Sequence, residues 1–254
     1  MGDAPAKFVM VITVYFSNPT GECRVQQPRL LILETSSKIS QVAIARGDTI
    51  LAKRDINETR RQAQDLVPTM NDLLSGQAMK PTDIDAVIVD IGPGSYTGLR
   101  VGIMTAKTIA YATGCVLLTM DTMRTIAEQA PQEAELLDVF IDAQQDRVYR
   151  QRFQQVGDNR QPVSEMTICP FAEWLTEKDK PSHVSGPGLR DKQDRIPEGV
   201  NVVEMHDWQP RAESLLRLGL PRFLRGEKDD VWAVEPLYLR PSAAEEQWDR
   251  LGKK

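Results

Sequence analysis

Histidine is scarce in this 254-residue chain: His183 and His206 are the only two, and they do not form an H-x-x-x-H or H-E-x-x-H pair. Metalloprotease chemistry needs such a pair on one helix face, so the sequence argues against it. A G-x-S-x-G nucleophile elbow is also missing, and Ser95 has no histidine base near it in sequence, which argues against a serine hydrolase. Cysteine is sparse as well. Cys23, Cys115 and Cys169 are widely spaced and odd in number, a pattern of reduced thiols in a cytoplasm and not of a disulfide framework. No apolar run approaches the roughly 20 residues of a membrane span. Positive charge is in deficit too. A net charge of −5 leaves no broad basic footprint for nucleic acid, so any RNA contact is expected to be local or made through a partner.

What is present reads as globular, with 41% hydrophobic and 26% charged residues, enough for one large domain or two small lobes. The segment "KFVMVITVYF" looks like the middle of a signal peptide, but "SNPTGECRVQQPR" after it offers no small-residue cleavage site. Residues 1–28 are therefore expected to be a poorly ordered N-terminal extension. From Arg29 on, "RLLILE", "SQVAIARG" and "TILAKRDI" are three β-type runs broken by "TSSK" and "GD", the pattern of an antiparallel meander. A helix is expected over 60–75, where Leu66, Val67, Met70, Leu73 and Leu74 share a face. The run "IDAVIVD" is nearly continuous in apolar residues, as in a strand buried on both faces. A glycine loop follows, then a helix from about residue 97 to 113 that Gly114 ends, and the strand "CVLLT". After the linker "APQEAE" the order restarts with "LLDVFIDA", "DRVYRQRF", "VSEMTI" and the helical "PFAEWLTE". Two βββα openings predict two lobes of related α/β topology, residues 29–130 and 131–240, followed by a charged tail over 241–254.

The loop "DIGPGSYTGLRVG" leaves a buried strand and enters a helix. Its backbone N–H groups and the helix dipole suit an anion, with Gly92, Gly94 and Ser95 as candidate ligands. It is not a Walker A loop, because Gly98 is followed by Leu99 and Arg100 instead of Lys-Ser/Thr. It is not the dinucleotide fingerprint either, since Thr97 stands at the third glycine position. The first strand ends in Glu34, Thr35 and Ser36, where a carboxylate and two hydroxyls could face a phosphate. The comparable stretch of the second half, Asp142 to Asp146, has no glycine, so half of a nucleotide clamp is missing.

Gly98, Gly102, Ala106 and Ala110 recur every four residues and make one ridge of very small side chains. Glycine costs a helix about 1 kcal/mol relative to alanine, so two of them near its start need a compensating close approach. Either a foreign helix or this chain's own sheet satisfies the spacing. A second face carries Arg100, Met104, Lys107 and Tyr111, long-stemmed cations among adaptable apolar groups. That mixture suits a partner surface.

Taken together, "ILETSS", "VDIGPGSYTGLRVG", "TAKTIAYATG", "IDAQQDRVY" and "PLYLR" (Pro236 to Arg240) resemble the TsaB (YeaZ) family of threonylcarbamoyladenosine biosynthesis proteins, over about residues 29–240. The resemblance implies the two-lobed actin-like ATPase (ribonuclease H-like) fold. It implies a chain without catalytic activity of its own, acting as partner of TsaD, which modifies adenosine 37 of tRNA and carries the metal-binding histidines missing here. TsaE, an ATPase, would complete the complex, with ATP or ADP and Mg2+ belonging to the assembly; tRNA would be met only through it. The heterodimer, and a homodimer competing for the same surface, would use helices 60–75 and 97–113, adding Leu66, Met70 and Leu73 to the candidate contacts. Three departures from the family pattern stand out: Glu34 for the usual Asp, Gln62-Ala63 for His-Ser, and the absence of glycine in "AQQDRVY". An actin-like small-molecule kinase or ATPase is the alternative reading.

Overall fold

The computed structural model describes residues 27–56 and 62–237. Most of the expected N-terminal extension, the 241–254 tail and Tyr238 to Arg240 of the "PLYLR" motif lie outside them. The first lobe starts with the expected meander, β1 (Arg29–Glu34), β2 (Ser40–Arg46) and β3 (Thr49–Ile56). Next come α1 (Gln62–Gly76), β4 (Ala86–Asp90), α2 (Tyr96–Thr113) and β5 (Val116–Met120), then the short α3 (Thr122–Ala127), whose Met123, Ile126 and Ala127 pack with Leu137, Val139 and Phe153 of the second lobe. The sheet order is β3-β2-β1-β4-β5, antiparallel through the meander and parallel across β1, β4 and β5.

Strand alternation divides this sheet's side chains between two cores. Leu31, Leu33, Val87 and Val89 pack with Leu66, Met70, Ile103 and Ala106 under α1 and α2. Leu30, Ile32, Ala86 and Ile88 face the other way. Burial on both sides is why "RLLILE" and "IDAVIVD" lack polar alternation.

The second lobe holds β6 (Leu136–Asp142), β7 (Arg147–Val156), β8 (Asn159–Pro162), β9 (Thr167–Pro170), α4 (Phe171–Thr176), β10 (His183–Ser185) and β11 (Asn201–Val202). Its order is β11-β10-β6-β7-β8, with β9 also pairing to β7. The βββα opening is repeated, with one correction. The third strand is β8 and not "VSEMTI", because Gly157, at φ 60°, reverses the chain just as Gly47 does at φ 59° between β2 and β3. Only the end of the expected run is strand, in β9.

Sequence periodicity did not single out α5 (Ala212–Leu224). Ala212, Leu215 and Leu216 cover the second face of the first sheet, and Gly219 comes so close to it that a Cβ there would lie 2.5 Å from Ile88 Cδ1. The chain after α5 continues as a strap along the edge of that sheet. Asp229 donates its N–H to Leu117 O and accepts from the N–H and hydroxyl of Thr119, while Arg222 holds Asp229 and Glu227. Farther on, Leu237 N–H bonds to Ile91 O. The stretch 131–240 therefore divides: β6 to β11 build the second lobe, and residues 212–237 pack on the first.

Side chains lace the two crossings between lobes. Gln129 Nε2 donates to the carbonyls of Asp207 and Gln209, and Arg217 to that of Glu128. Arg160, almost fully buried, donates to Ala134 O and Pro131 O of the linker. These ties set how the lobes face each other across the cleft described next.

Candidate functional site

β1 and β4 are parallel neighbours in the register Leu33↔Val89, so Glu34 and Asp90 stand side by side where both strands end. Both are fully buried. Glu34 does not face the cleft, contrary to the expectation that it could address a phosphate. Its Oε1 accepts from Ser36 N–H, Ser36 hydroxyl and Ser37 N–H at 2.8, 2.8 and 3.0 Å, and its Oε2 accepts from Ser37 hydroxyl at 2.8 Å. Asp90 accepts from Thr35 N–H at 2.9 Å and from the Thr122 hydroxyl at 3.3 Å. Burial pushes the Glu34 carboxyl up to about 8, and the neighbouring Asp90 charge pushes it further in the same direction. Burial raises Asp90 as well.

The turn held by these carboxyls sits in the glycine groove of α2. Ser36 O accepts from Ser95 N–H at 2.7 Å. A Cβ on Gly94 would overlap Ser36 O, one on Gly98 would overlap Thr35 O, and one on Gly102 would overlap the Thr35 hydroxyl. Ala106 and Ala110 continue the groove and are buried at 0% and 4% exposure. The ridge is thus filled by this chain's own Thr35–Ser36 turn and sheet, and the reading of it as a surface for a foreign helix is corrected. Leu66, Met70 and Leu73 lie in the same core and are not at the surface; Val67, grouped with them by spacing, is 44% exposed. Ser95 caps α2 through its hydroxyl, which accepts from Gly98 N–H, and Gly114 ends the helix at φ 76°.

The opposite face of α2 is open. Met104 is 60% and Tyr111 71% exposed. Arg100 stacks its guanidinium 4.0 Å over the Tyr96 ring. Lys107 has a different task from the expected one. It is half-buried, and its Nζ donates to Val234 O at 3.0 Å, fastening the strap. The strap in turn brings Trp232, 74% exposed, edge-on to Tyr111 at 5.4 Å between ring centroids. Trp232 was missed in the sequence. Its only local signal is a large aromatic in the charged stretch "KDDVWAVEP".

Between the lobes lies a cleft of about 540 Å3. Ser37, Gly94 and Ser95 line one wall, and Asp142, Gly188 and Arg190 line the other. The second half does have a glycine loop, at Gly186-Pro187-Gly188 rather than at Asp142 to Asp146. A Cβ on Gly186 would overlap Phe140 O, and one on Gly188 would lie 2.9 Å from the Ile141 carbonyl carbon, so this pair lets the loop press against β6. In "AQQD", Gln144, Gln145 and Asp146 all take positive φ without a glycine. Asp146 is held by Lys192 and Arg195, and those ion pairs help fix the turn. Among the described residues no cluster of three His, Cys, Asp or Glu side chains could hold a metal.

Residues 49–194 match the protein family described as "TsaD: tRNA N6-adenosine threonylcarbamoyltransferase". "tRNA threonylcarbamoyladenosine biosynthesis protein TsaB" of Bacillus subtilis is 27% identical over 228 residues, covering 86% of this chain and 97% of the relative. Its counterpart in Escherichia coli is 27% identical over 241 residues, covering 89% and 99%. The solved structure "YeaZ from Pseudomonas aeruginosa" superposes with a TM-score of 0.71 at 26% identity, over 84% of this chain and 100% of that one. The chain belongs to the TsaB (YeaZ) family.

Its fold is accordingly the two-lobed α/β fold expected for TsaB (YeaZ) proteins. Of the three departures from the family pattern, Glu34 is absorbed by its own serine turn, and the missing glycine falls in the left-handed Gln144–Asp146 turn. The side chains of Gln62 and Ala63 lie outside the described residues.

Proposed function

We propose that this chain is a non-catalytic scaffold subunit of the cytoplasmic machinery that makes threonylcarbamoyladenosine in tRNA, and that it docks a TsaD-type partner. The observation that carries this reading is the exposed strip of Met104, Tyr111 and Trp232 on α2 and its strap, flanked by Arg100. Exposed aromatics and Met beside an arginine are the composition of an interface core, and scattered surface apolar residues would not be laid out along one helix face. The names of the curated relatives support the pathway. In this reading TsaE joins the same complex, ATP or ADP and Mg2+ serve the complex, tRNA is met through the partner, and a homodimer would compete for the strip.

Co-expression with its TsaD-type partner tests the reading. The two are expected to co-elute, and omitting this chain should abolish tRNA modification in a reconstituted system. Separate elution with unchanged modification would refute the scaffold role.

The cleft favours a second reading, an actin-like kinase or ATPase, less well. Glu34 is turned into its own loop, so the first lobe offers the cleft no carboxylate at the end of β1, and Asp142, whose Oδ1 accepts from Gln144 N–H at 2.8 Å, faces it alone from the end of β6. Calorimetry of the isolated chain with ATP and magnesium is expected to register no binding heat. Saturable binding with turnover would favour the enzyme.

A further inference from the structure

We propose that Glu34 and Asp90 share a single proton, and that this proton latches the Glu34–Ser37 turn into the glycine groove of α2, so that its loss at alkaline pH loosens the start of that helix. The geometry is the first support. Parallel pairing of β1 with β4 and the two-residue alternation of strands put both carboxyls on the face shared by Ile32 and Ile88. Both are fully buried, and among the described residues the donors bonded to them are neutral: N–H or hydroxyl groups of Thr35, Ser36, Ser37 and Thr122. The Ser36 side chain reaches both carboxyls. Two adjacent buried carboxylates with no cation bonded to them among the described residues cannot both ionise at modest cost, so one keeps its proton, and that proton belongs to the pair.

The neighbouring elements supply little to relieve this. Lys38 lies on the turn and is exposed. From α3 come Asp121, itself raised to about 6 by burial while capping the helix, and Arg124. β2 offers the neutral Gln41 opposite Glu34, and β5 offers Met120 opposite Asp90. At the start of α5, Arg211 is paired with Asp207 and Glu213 with Lys53. The part of α2 that covers the turn, Gly98 to Gly102, is uncharged on its inner side.

The coupling to α2 is mechanical. Thr35 and Ser36 present their carbonyls to Gly98, Gly94 and Ser95 N–H, and the serine turn holds them there only while its N–H and hydroxyl groups remain bonded to Glu34. Ionisation by itself strengthens the serine bonds to Glu34, but a second buried negative charge beside Asp90 outweighs that gain, drives the two strand ends apart and pulls the turn out of the groove. Because α2 carries the proposed docking strip, its regulation by this proton rests on that reading. The proton itself does not.

The sign of the stability change follows from linkage. Glu34 keeps its proton in the folded chain up to about 8 and loses it near 4.5 when unfolded. The contribution of this carboxyl to stability is therefore largest below the lower value and declines as pH rises through that window.

Carboxyl carbon NMR of the intact, 13C-labelled chain between about pH 5 and 9.5 tests the proposal. One carboxyl of the pair is expected to stay neutral through pH 7. Amide exchange over residues 95–102 is expected to rise about tenfold beyond the intrinsic base-catalysed increase as that carboxyl ionises. In Glu34→Gln the excess exchange should vanish and the melting temperature should change less with pH. Ionisation of both carboxyls below about pH 6, or the same excess exchange in Glu34→Gln, would overturn the proposal. Asp90→Asn gives a second comparison if Glu34→Gln does not fold, and the wild-type titration needs neither. Failure of the docking reading would show as lost co-elution at pH 7 and leave these titrations unchanged.

Discussion

Gly102→Leu is expected to destabilise the isolated chain by about 4 kcal/mol or more, a fall in melting temperature of roughly 10 °C. The first atom of any side chain at 102 already overlaps the Thr35 hydroxyl and would lie 2.9 Å from Thr35 Cγ2 and 3.0 Å from its Cβ. Three further carbons have nowhere to go, since Ile103 and Ala106 on the same helix are themselves buried at 2% and 0% exposure. Thr35 cannot retreat easily either, because its N–H is bonded to the buried Asp90. Gly76, the last residue of α1, is the matched control. A Cβ there meets nothing within 4 Å, so Gly76→Ala should be neutral or stabilise by up to about 1 kcal/mol. Thermal unfolding of both variants without any partner separates the two roles for the ridge. A Gly102→Leu chain that melts normally yet loses its partner would restore the ridge as an interface.

That ridge shows what a sequence encodes and what it omits. A four-residue repeat of Gly and Ala states that something approaches the helix closely, and that much was legible. What approaches is decided by the parallel pairing of β1 with β4, a contact between residues about fifty apart in the chain, which brings Thr35 under Gly98 and Gly102 and Ser36 under Gly94. Helical period alone contains no such term. The strands of the first lobe were readable because each is a short apolar run between turn residues. The start of β8 was overlooked although "GD" precedes it, as "GD" also precedes β3. Its edge position leaves mostly polar residues on it, so hydrophobicity gave no signal. The amphipathic α5 packs on a sheet completed a hundred residues earlier, and nothing local says which lobe it serves. Glu34 resisted reading for a related reason. A carboxylate followed by two serines can face solvent, a ligand or its own turn, and only burial on both sides of the sheet selects the last.

Partner binding should depend on the other face of α2, where Met104→Glu is expected to weaken association at least about 100-fold and Trp232→Ala about 10-fold or more. Met104 and Tyr111 stand two helical turns apart, and Trp232 broadens the strip by packing edge-on against Tyr111. A glutamate at 104 would place a charge where a docked surface excludes water, without touching the cores beneath. For that reason the melting temperature of Met104→Glu should stay within about 2 °C of the wild type, unlike that of Gly102→Leu. Lys107→Met supplies the finer test. Its ammonium bonds to Val234 O and, more loosely, to Trp232 O, so removing it should free the strap and lower affinity through the position of Trp232. Combining Lys107→Met with Trp232→Ala should then cost little more than Trp232→Ala alone, because both act through one contact. Titration calorimetry of the four variants against the purified TsaD-type partner, beside their melting curves, reads all of these at once. Unchanged affinity in Met104→Glu, at unchanged stability, would remove α2 from the docking surface altogether.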